Sequence, residues 1–379
     1  MAHSSNSSHV HAVLMTADTI GGVWTYALEL SEALKPFGIE ICMATMGAPL
    51  TFQQKKAVKE KDNIKLFESS YKLEWMEDPW QEVEEAGRWL LDLEEMLQPD
   101  IIHLNNYSHG SLPFQAPKLV VGHSCVYSWY DAVKYHAPHE AWFKYKEKVT
   151  KGIKKADLVT APTKAMLSVL SHYYGSFRKA GAIYNARRAD DFLPGVKENM
   201  VLSAGRLWDE AKNVSMLAYI APRLKWPVYM AGEKEDPEGR FVQLFNDVNL
   251  LGRLSSKALA AWMKRAAIFA LPARYEPFGL SALEAALSGC ALVLGDIPSL
   301  REVWQDAAWY VKPDDYEELE RAINILIEDD ELRISYAKKG RRRALYFTPE
   351  RMAKGYLKLY ENLSASEKHK RKAGALRQD

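Results

Sequence analysis

The sequence predicts an α/β protein of two doubly wound domains, each a parallel sheet wrapped by helices. Three observations carry this expectation. Short apolar runs alternate with longer segments of helical period from end to end, which is the pattern of βα units. The length, 379 residues, exceeds what one compact core accommodates and suits two domains of ordinary size. The apolar pattern lapses around Asn185 to Val196, where Arg, Asp, Pro and Gly take over, and then begins again.

Taken in order, the first half places strands at His11–Met15, Ile39–Thr45, Ile64–Phe67, Ile101–Leu104, Leu119–Gly122 and Leu158–Ala161. Helices fall between them near Val23–Lys35, Trp80–Leu97 and Glu140–Lys155. The second half restarts with Met200–Ala204, then Val228–Ala231, Val248–Leu251, Ile268–Leu271 and Ala291–Leu294. Thr348-Pro349-Glu350 is a helix start, with Thr as cap and Pro in the first turn. The expected division is residues 9–188 for the first domain, 189–347 for the second, 348–364 for a last helix and 365–379 for a disordered basic tail.

Composition excludes several classes. Hydrophobic residues make up 47% and charged residues 26%, so most of the chain folds. Lys plus Arg number 50 against 49 for Asp plus Glu; a nucleic-acid binder carries a larger basic excess. No apolar run is long enough to span a bilayer, and residues 1–9 are Ser- and His-rich where a signal peptide is basic and then apolar. Cys42, Cys125 and Cys290 are far apart and sit in or beside apolar runs, as small buried thiols do. A reduced cytoplasm is therefore the expected location, and the Asn-x-Ser triplets at Asn106, Asn213 and Asn362 are chance matches.

In open α/β sheets, ligands bind beyond the carboxyl ends of the strands, so the loops after strands are where chemistry is expected. Gly21-Gly22 follows the first strand and opens a helix, letting the backbone approach an anion. It is neither the Gly-x-Gly-x-x-Gly fingerprint nor a Walker loop, which disfavours a dinucleotide oxidoreductase. Arg206 leaves the first strand of the second domain and Lys212 follows near a helix start; together they can hold a diphosphate. Taken alone, that segment reads more simply as a surface ion pair with Asp209 or Glu210. In Pro272–Ala285, Glu276 sits in a loop and Glu284 in the early turns of a helix opened by Gly279. The backbone N–H groups of Phe278, Gly279, Leu280 and Ser281 lie between the two carboxylates and suit an anion. Carboxylate, anion-binding turn, carboxylate fits a sugar–diphosphate–ribose molecule, although two glutamates near a helix amino terminus are also favoured by its dipole alone.

Glu276-Pro-Phe-Gly-Leu with Glu284 resembles the paired-glutamate motif of glycosyltransferase family four, the retaining nucleotide-sugar transferases of GT-B fold. Gly21-Gly22, the pair Arg206 and Lys212, Asp100–His103 and Asp296–Val303 also have counterparts there, in the same order along nearly the whole chain. The resemblance implies a GT-B architecture, with two Rossmann-like domains facing a central crevice and the C-terminal helix crossing back to the N-terminal domain. The N-terminal domain would be the acceptor side and the C-terminal domain the donor side. The resemblance further implies His123 as a donor-sugar contact, although a histidine ending an apolar strand is by itself more often structural. Two departures are visible. Ile183-Tyr184-Asn185-Ala186 replaces a common Asn-Gly in the linker, and Ala231-Gly232-Glu233-Lys234 lacks a second glycine beside the base pocket, leaving the base open.

The implied reaction moves a hexose from UDP- or GDP-hexose to an acceptor hydroxyl with retention. Glu276 would hold the hexose, Glu284 the ribose, and Arg206 and Lys212 the departing diphosphate. No Asp-x-Asp lies where a metal-dependent transferase would have one, so neither metal nor other cofactor is expected and the nucleotide sugar is a co-substrate. Asn105, in the loop after a strand, is a candidate acceptor contact. The acceptor itself, carbohydrate, lipid-linked or small-molecule, stays open. Lys144, Lys148, Lys151 and Lys155 share one helix face that suits solvent better than an anionic membrane surface. The alternatives are a sugar phosphorylase or synthase using a sugar phosphate at the same site, and a nucleotide-sugar-binding protein without activity.

Overall fold

The computed structural model describes residues 10–235 and 247–375, with side chains through residue 366. The Ser- and His-rich start, 1–9, lies outside the described residues. The chain divides into two compact units. One takes the chain up to Ser128, Pro138–Tyr184 and the segment from Pro349 onward; the other takes Trp129–Ala137 and Asn185–Thr348.

The first unit is built on a seven-stranded sheet among the described residues: β1 (Ala12–Asp18), β2 (Glu40–Met46), β3 (Ile64–Phe67), β4 (Ile101–Leu104), β5 (Lys118–Val121), β6 (Leu158–Ala161) and β7 (Ala180–Ala182). Its order is β3-β2-β1-β4-β5-β6-β7 and every pairing is parallel. β1 lies inside the sheet, with Leu14 between Cys42 and Ile102, and is buried from Val13 to Asp18. A strand covered on both faces reads as a continuous apolar run, which is why it was legible. The following helix, Gly22–Leu34, turns Tyr26, Ala27, Leu30 and Leu34 onto the core at helical spacing.

The second unit repeats the plan with six described strands: β8 (Glu198–Ala204), β9 (Val228–Ala231), β10 (Asn249–Gly252), β11 (Ala266–Leu271), β12 (Ala291–Gly295) and β13 (Trp309–Val311). The order is β10-β9-β8-β11-β12-β13, again all parallel. In both sheets the direction of winding reverses beside the first strand, between β1 and β4 and between β8 and β11. The loops after those strands diverge and leave room for a ligand.

All strands expected from the sequence are present, their ends displaced by at most three residues. β7 and β13 were not expected; at three residues each, at sheet edges, they show no readable period. The expected helix from Glu140 begins as a 3-10 turn, Glu140–Trp142, and becomes α-helical at Phe143. Residues 129–137 join the second unit, contrary to the expected boundary. There Trp129 Nε1 donates to Asp209 at 3.0 Å and Lys134 pairs with Glu210 at 2.8 Å.

The last helix, Pro349–Ala375, belongs to the first unit, where Tyr360 Oη lies 2.6 Å from His103 Nδ1. It continues past residue 364, where a tail was expected. Ala365, Glu367, Lys368, Arg371 and Lys372 are good helix formers even with little to bury. Residues 376–379 of that tail lie outside the described residues. Cys42, Cys125 and Cys290 are free and buried, as expected. No helix among the described residues is long and apolar enough to cross a membrane.

Candidate active site

In the second unit, the loops after β8 and β11 are fastened together. Arg274 N donates to Ala211 O at 2.9 Å, and Asn213 Nδ2 to Pro272 O at 3.0 Å. This brings Lys212, one of the two sequence-predicted cations, beside the sequence-predicted carboxylate Glu276. Lys212 Nζ lies 2.7 Å from Glu276 Oε2, with only 13% and 14% of the two side chains exposed. Glu276 Oε1 accepts from Gly279 N at 2.9 Å and, at 3.4 Å, from Phe278 N. Ser299 Oγ donates to Glu276 O at 2.6 Å and fixes the loop. Gly279 has φ 90°, a conformation that glycine adopts without strain, and this turns the chain into the helix Leu280–Leu287.

Two expectations change here. Glu276 does not extend freely from its loop: it ties Lys212 to the turn. The Phe278 and Gly279 N–H groups, expected to await an anion, face the Glu276 carboxylate. The Phe278 ring packs edge-on against Phe347, centroids 5.6 Å apart, and contributes packing. Leu280 and Ser281 open the helix half-buried, where their N–H groups have no carbonyl one turn earlier.

Arg206 does form the local ion pair that its segment suggested, NH2 to Asp209 Oδ2 at 2.8 Å, and stacks on Trp208 at 5.1 Å. Burial pushes the Asp209 carboxyl up, but the charges of Arg206 and Lys212 and the Trp129 hydrogen bond outweigh it and hold it below its usual value. Asp209 thus steadies a half-exposed guanidinium from beneath. Glu210 is engaged by Lys134 and not by Arg206 or Lys212.

Glu284, expected at a ribose, is buried and pairs with Arg187 Nε at 2.8 Å. Arg187 is buried too, over the Phe192 ring at 4.9 Å. No local pattern signals this pair, whose members stand 97 positions apart.

In the first unit, Gly21 has φ 80° and caps the helix that starts at Gly22, with no side-chain cap bond. His123, just past β5, has Nε2 2.7 Å from Asn105 Oδ1, and burial brings its pKa down to about 3. Asn105 was expected to meet an acceptor. Its Nδ2 donates to Thr16 O at 2.5 Å and its backbone N to Thr16 Oγ1 at 2.8 Å, so its polar groups are engaged by Thr16 and His123. In the aromatic segment 73–80, the Glu74 carboxylate accepts from Tyr107 N at 2.9 Å and Ser108 N at 2.8 Å, bracing the loop after β4. Of the lysine stripe, Lys144 lies 5.7 Å from the Trp80 ring and Lys148 pairs with Glu84 at 3.0 Å.

Asp18, at the end of β1, is a buried acid that no motif in the sequence marks. It is 7% exposed, and its Oδ1 has no hydrogen-bond partner among the described residues. Burial, then the neighbouring Glu74 charge, push its pKa up to about 8 against a hydrogen bond from Trp75. Unfolded, an aspartate titrates near ~3.9. Between those values the folded chain keeps a proton that the unfolded chain has released. Stability therefore falls as pH rises through this window, by about 1.4 kcal/mol per pH unit, and levels off above it. Asp18→Asn is expected to remove that slope. Melting curves at pH 5, 6, 7 and 8 should show the variant gaining on the parent at each step; parallel slopes would contradict the buried acid.

Comparison with known proteins bears on the family and the fold. The family model described as Glycosyltransferase Family 4 matches residues 20–190, and that described as Glycosyl transferases group 1 matches residues 188–343. The chain is 31% identical over 140 residues to N,N'-diacetylbacillosaminyl-diphospho-undecaprenol alpha-1,3-N-acetylgalactosaminyltransferase of Campylobacter jejuni, covering 36% of this chain and 37% of that protein. It is 25% identical over 189 residues to phosphatidyl-myo-inositol mannosyltransferase of Mycolicibacterium smegmatis, covering 47% and 49% respectively. The matches thus span half or less of these two relatives. Among solved structures, sucrose-phosphate synthase of Thermosynechococcus elongatus superposes with a TM-score of 0.79 at 19% identity, over 94% of this chain and 100% of that one. Anabaena HepE in complex with UDP-glucose gives 0.75 at 16% identity, over 93% and 99%. These likenesses show the GT-B fold. With the two family models meeting end to end across residues 20–343, the chain belongs to the glycosyltransferases of family four.

Proposed function

We propose that this glycosyltransferase moves a hexose from UDP- or GDP-hexose to an acceptor hydroxyl, with retention of configuration and without a metal ion or other cofactor. The observation that supports it most is the Lys212–Glu276 contact at the Gly279 turn, with Arg206 on the adjoining loop. It joins cations for a diphosphate to a carboxylate for sugar hydroxyls, at the switch point of the second sheet. Donor binding would set phosphate oxygens against Lys212 and Arg206, which Glu276 and Asp209 hold in place. As the bond from the anomeric carbon to phosphate breaks, charge grows on the diphosphate, where both cations stabilise it. The acceptor oxygen bonds to the anomeric carbon from the same face, and its proton passes to the departing phosphate oxygen. His123, in the first unit, would touch the hexose, and Glu284 the ribose. The relatives named for undecaprenol-linked and phosphatidylinositol substrates favour a carbohydrate or lipid-linked acceptor.

The test is transfer from each donor to a panel of neutral saccharides, a polyprenyl-diphosphate sugar, phosphatidylinositol and a sugar phosphate, with the product anomer read by proton NMR. An α-linked product from an α-donor is expected, at a rate unchanged by EDTA. Loss of turnover with EDTA, restored by Mg²⁺ or Mn²⁺, would overturn metal independence. A β-linked product would overturn retention.

A further inference from the structure

Asn105 and His123 come from different strands of the first sheet and meet through a chain of bonds that admits one protonation pattern. Asn105 Nδ2 is 2.5 Å from the Thr16 carbonyl oxygen. Turning the amide over would set two acceptor oxygens at that distance, so the nitrogen faces Thr16 and Oδ1 faces His123. A carbonyl oxygen only accepts; at 2.7 Å from it, His123 Nε2 must carry hydrogen. A second layer holds the ring in place. The Tyr26 ring meets it edge-on, centroids 4.6 Å apart and planes at 66°. Tyr26 Oη lies 3.2 Å from His103 Nε2, and His103 Nδ1 lies 2.6 Å from Tyr360 Oη.

We propose that Asn105 is a positioning residue that fixes His123 as the Nε2–H tautomer, so that His123 meets the donor hexose as a hydrogen-bond acceptor through Nδ1. This rests on the proposed role of His123 at the sugar. The titratable groups facing the ring are Tyr26, from the first helix, and His103, from β4. Burial, with the nearby His123 adding to it, brings His103 down to about 3, and burial drives Tyr26 well above its usual value; both are neutral and bring no charge to His123. The His123 ring is itself kept neutral by burial. A neutral ring suits the reaction: an imidazolium would oppose the positive charge that develops at the anomeric carbon, while a lone pair at Nδ1 takes a hydroxyl hydrogen of the hexose without adding charge.

The decisive experiment is nitrogen NMR of the full chain labelled in histidine, with His123→Gln assigning the signal. The expected His123 pattern is the neutral Nε2–H form, unchanged from pH 5.5 to 8. An Nδ1–H form, or ordinary titration in that range, would overturn the proposal. In Asn105→Leu, which is close in volume and cannot accept, His123 is expected to average between tautomers; an unchanged tautomer would overturn Asn105 as its cause. The sugar contact is read separately, with donors carrying fluorine in place of one hexose hydroxyl at a time. One position should lose about tenfold in turnover, and that loss should vanish in His123→Ala. An equal loss in both proteins would overturn the Nδ1 contact. If no nucleotide sugar is used at all, the proposed function fails while the tautomer assignment stands.

Discussion

Lys212→Ala and Arg206→Ala are each expected to slow transfer by about 10²–10³-fold, the loss typical of one preorganised electrostatic stabiliser. Both cations already sit against carboxylates, Lys212 at Glu276 and Arg206 at Asp209, so neither has to be ordered when charge develops on the diphosphate. The double variant should lose less than the product of the single losses, because removing either cation disrupts the anion site that both serve. Lys212→Ala also strands Glu276, which is mostly buried and still held by Gly279 N. A carboxylate without its cation beside the diphosphate adds repulsion, so Lys212 should cost more than the half-exposed Arg206. Turnover of the three variants, with melting temperature as the folding control, checks this. Near-parental rates in both single variants would make these residues ordinary structural ion pairs.

The second large effect is on stability. Glu284→Ala leaves the Arg187 guanidinium buried without its carboxylate, and breaking a buried pair from one side costs about 3–5 kcal/mol. For a unit of this size that is roughly 6–20 °C in melting temperature. Arg187→Ala should cost a similar amount, and Arg187→Leu with Glu284→Leu should recover most of it, since no charge is then stranded. Glu284→Gln keeps a hydrogen-bonding side chain, so it separates the two roles. If Glu284 also holds the ribose, affinity for the nucleoside diphosphate should drop in this variant beyond what its smaller stability loss explains. A Glu284→Ala protein that melts with the parent would contradict the buried pair.

Much of the fold was legible because its central strands are covered on both faces. Val13–Met15, Leu119–Val121 and Ile268–Leu271 are unbroken apolar runs, and such runs alternating with helical periods have few other arrangements. Edge pieces were not legible: Ala180–Ala182 offers two alanines and a glycine, and only the pairing with β6 makes it a strand. The chemistry of the site was legible as residue types at strand ends, since loops there face ligands whatever the packing. Its partnerships were not. Nothing local links Lys212 to Glu276, Arg187 to Glu284, or Trp129 to Asp209, because each pair meets only after the sheets have wound. Asp18 was hidden for a similar reason: its high pKa comes from burial near Glu74, which stands 56 positions away.

The central claim is that the cations after β8 receive the diphosphate of a nucleotide sugar. Thermal shift of the parent, Arg206→Ala and Lys212→Ala proteins against UDP-, GDP-, ADP- and dTDP-glucose tests it most directly. A donor at about a hundred times its Kd stabilises the fold by about 2.7 kcal/mol. One of the four donors should raise the parental melting temperature by several degrees, with the shift strongly reduced in both variants. Equal shifts in all three proteins, or no shift with any donor, would contradict the account.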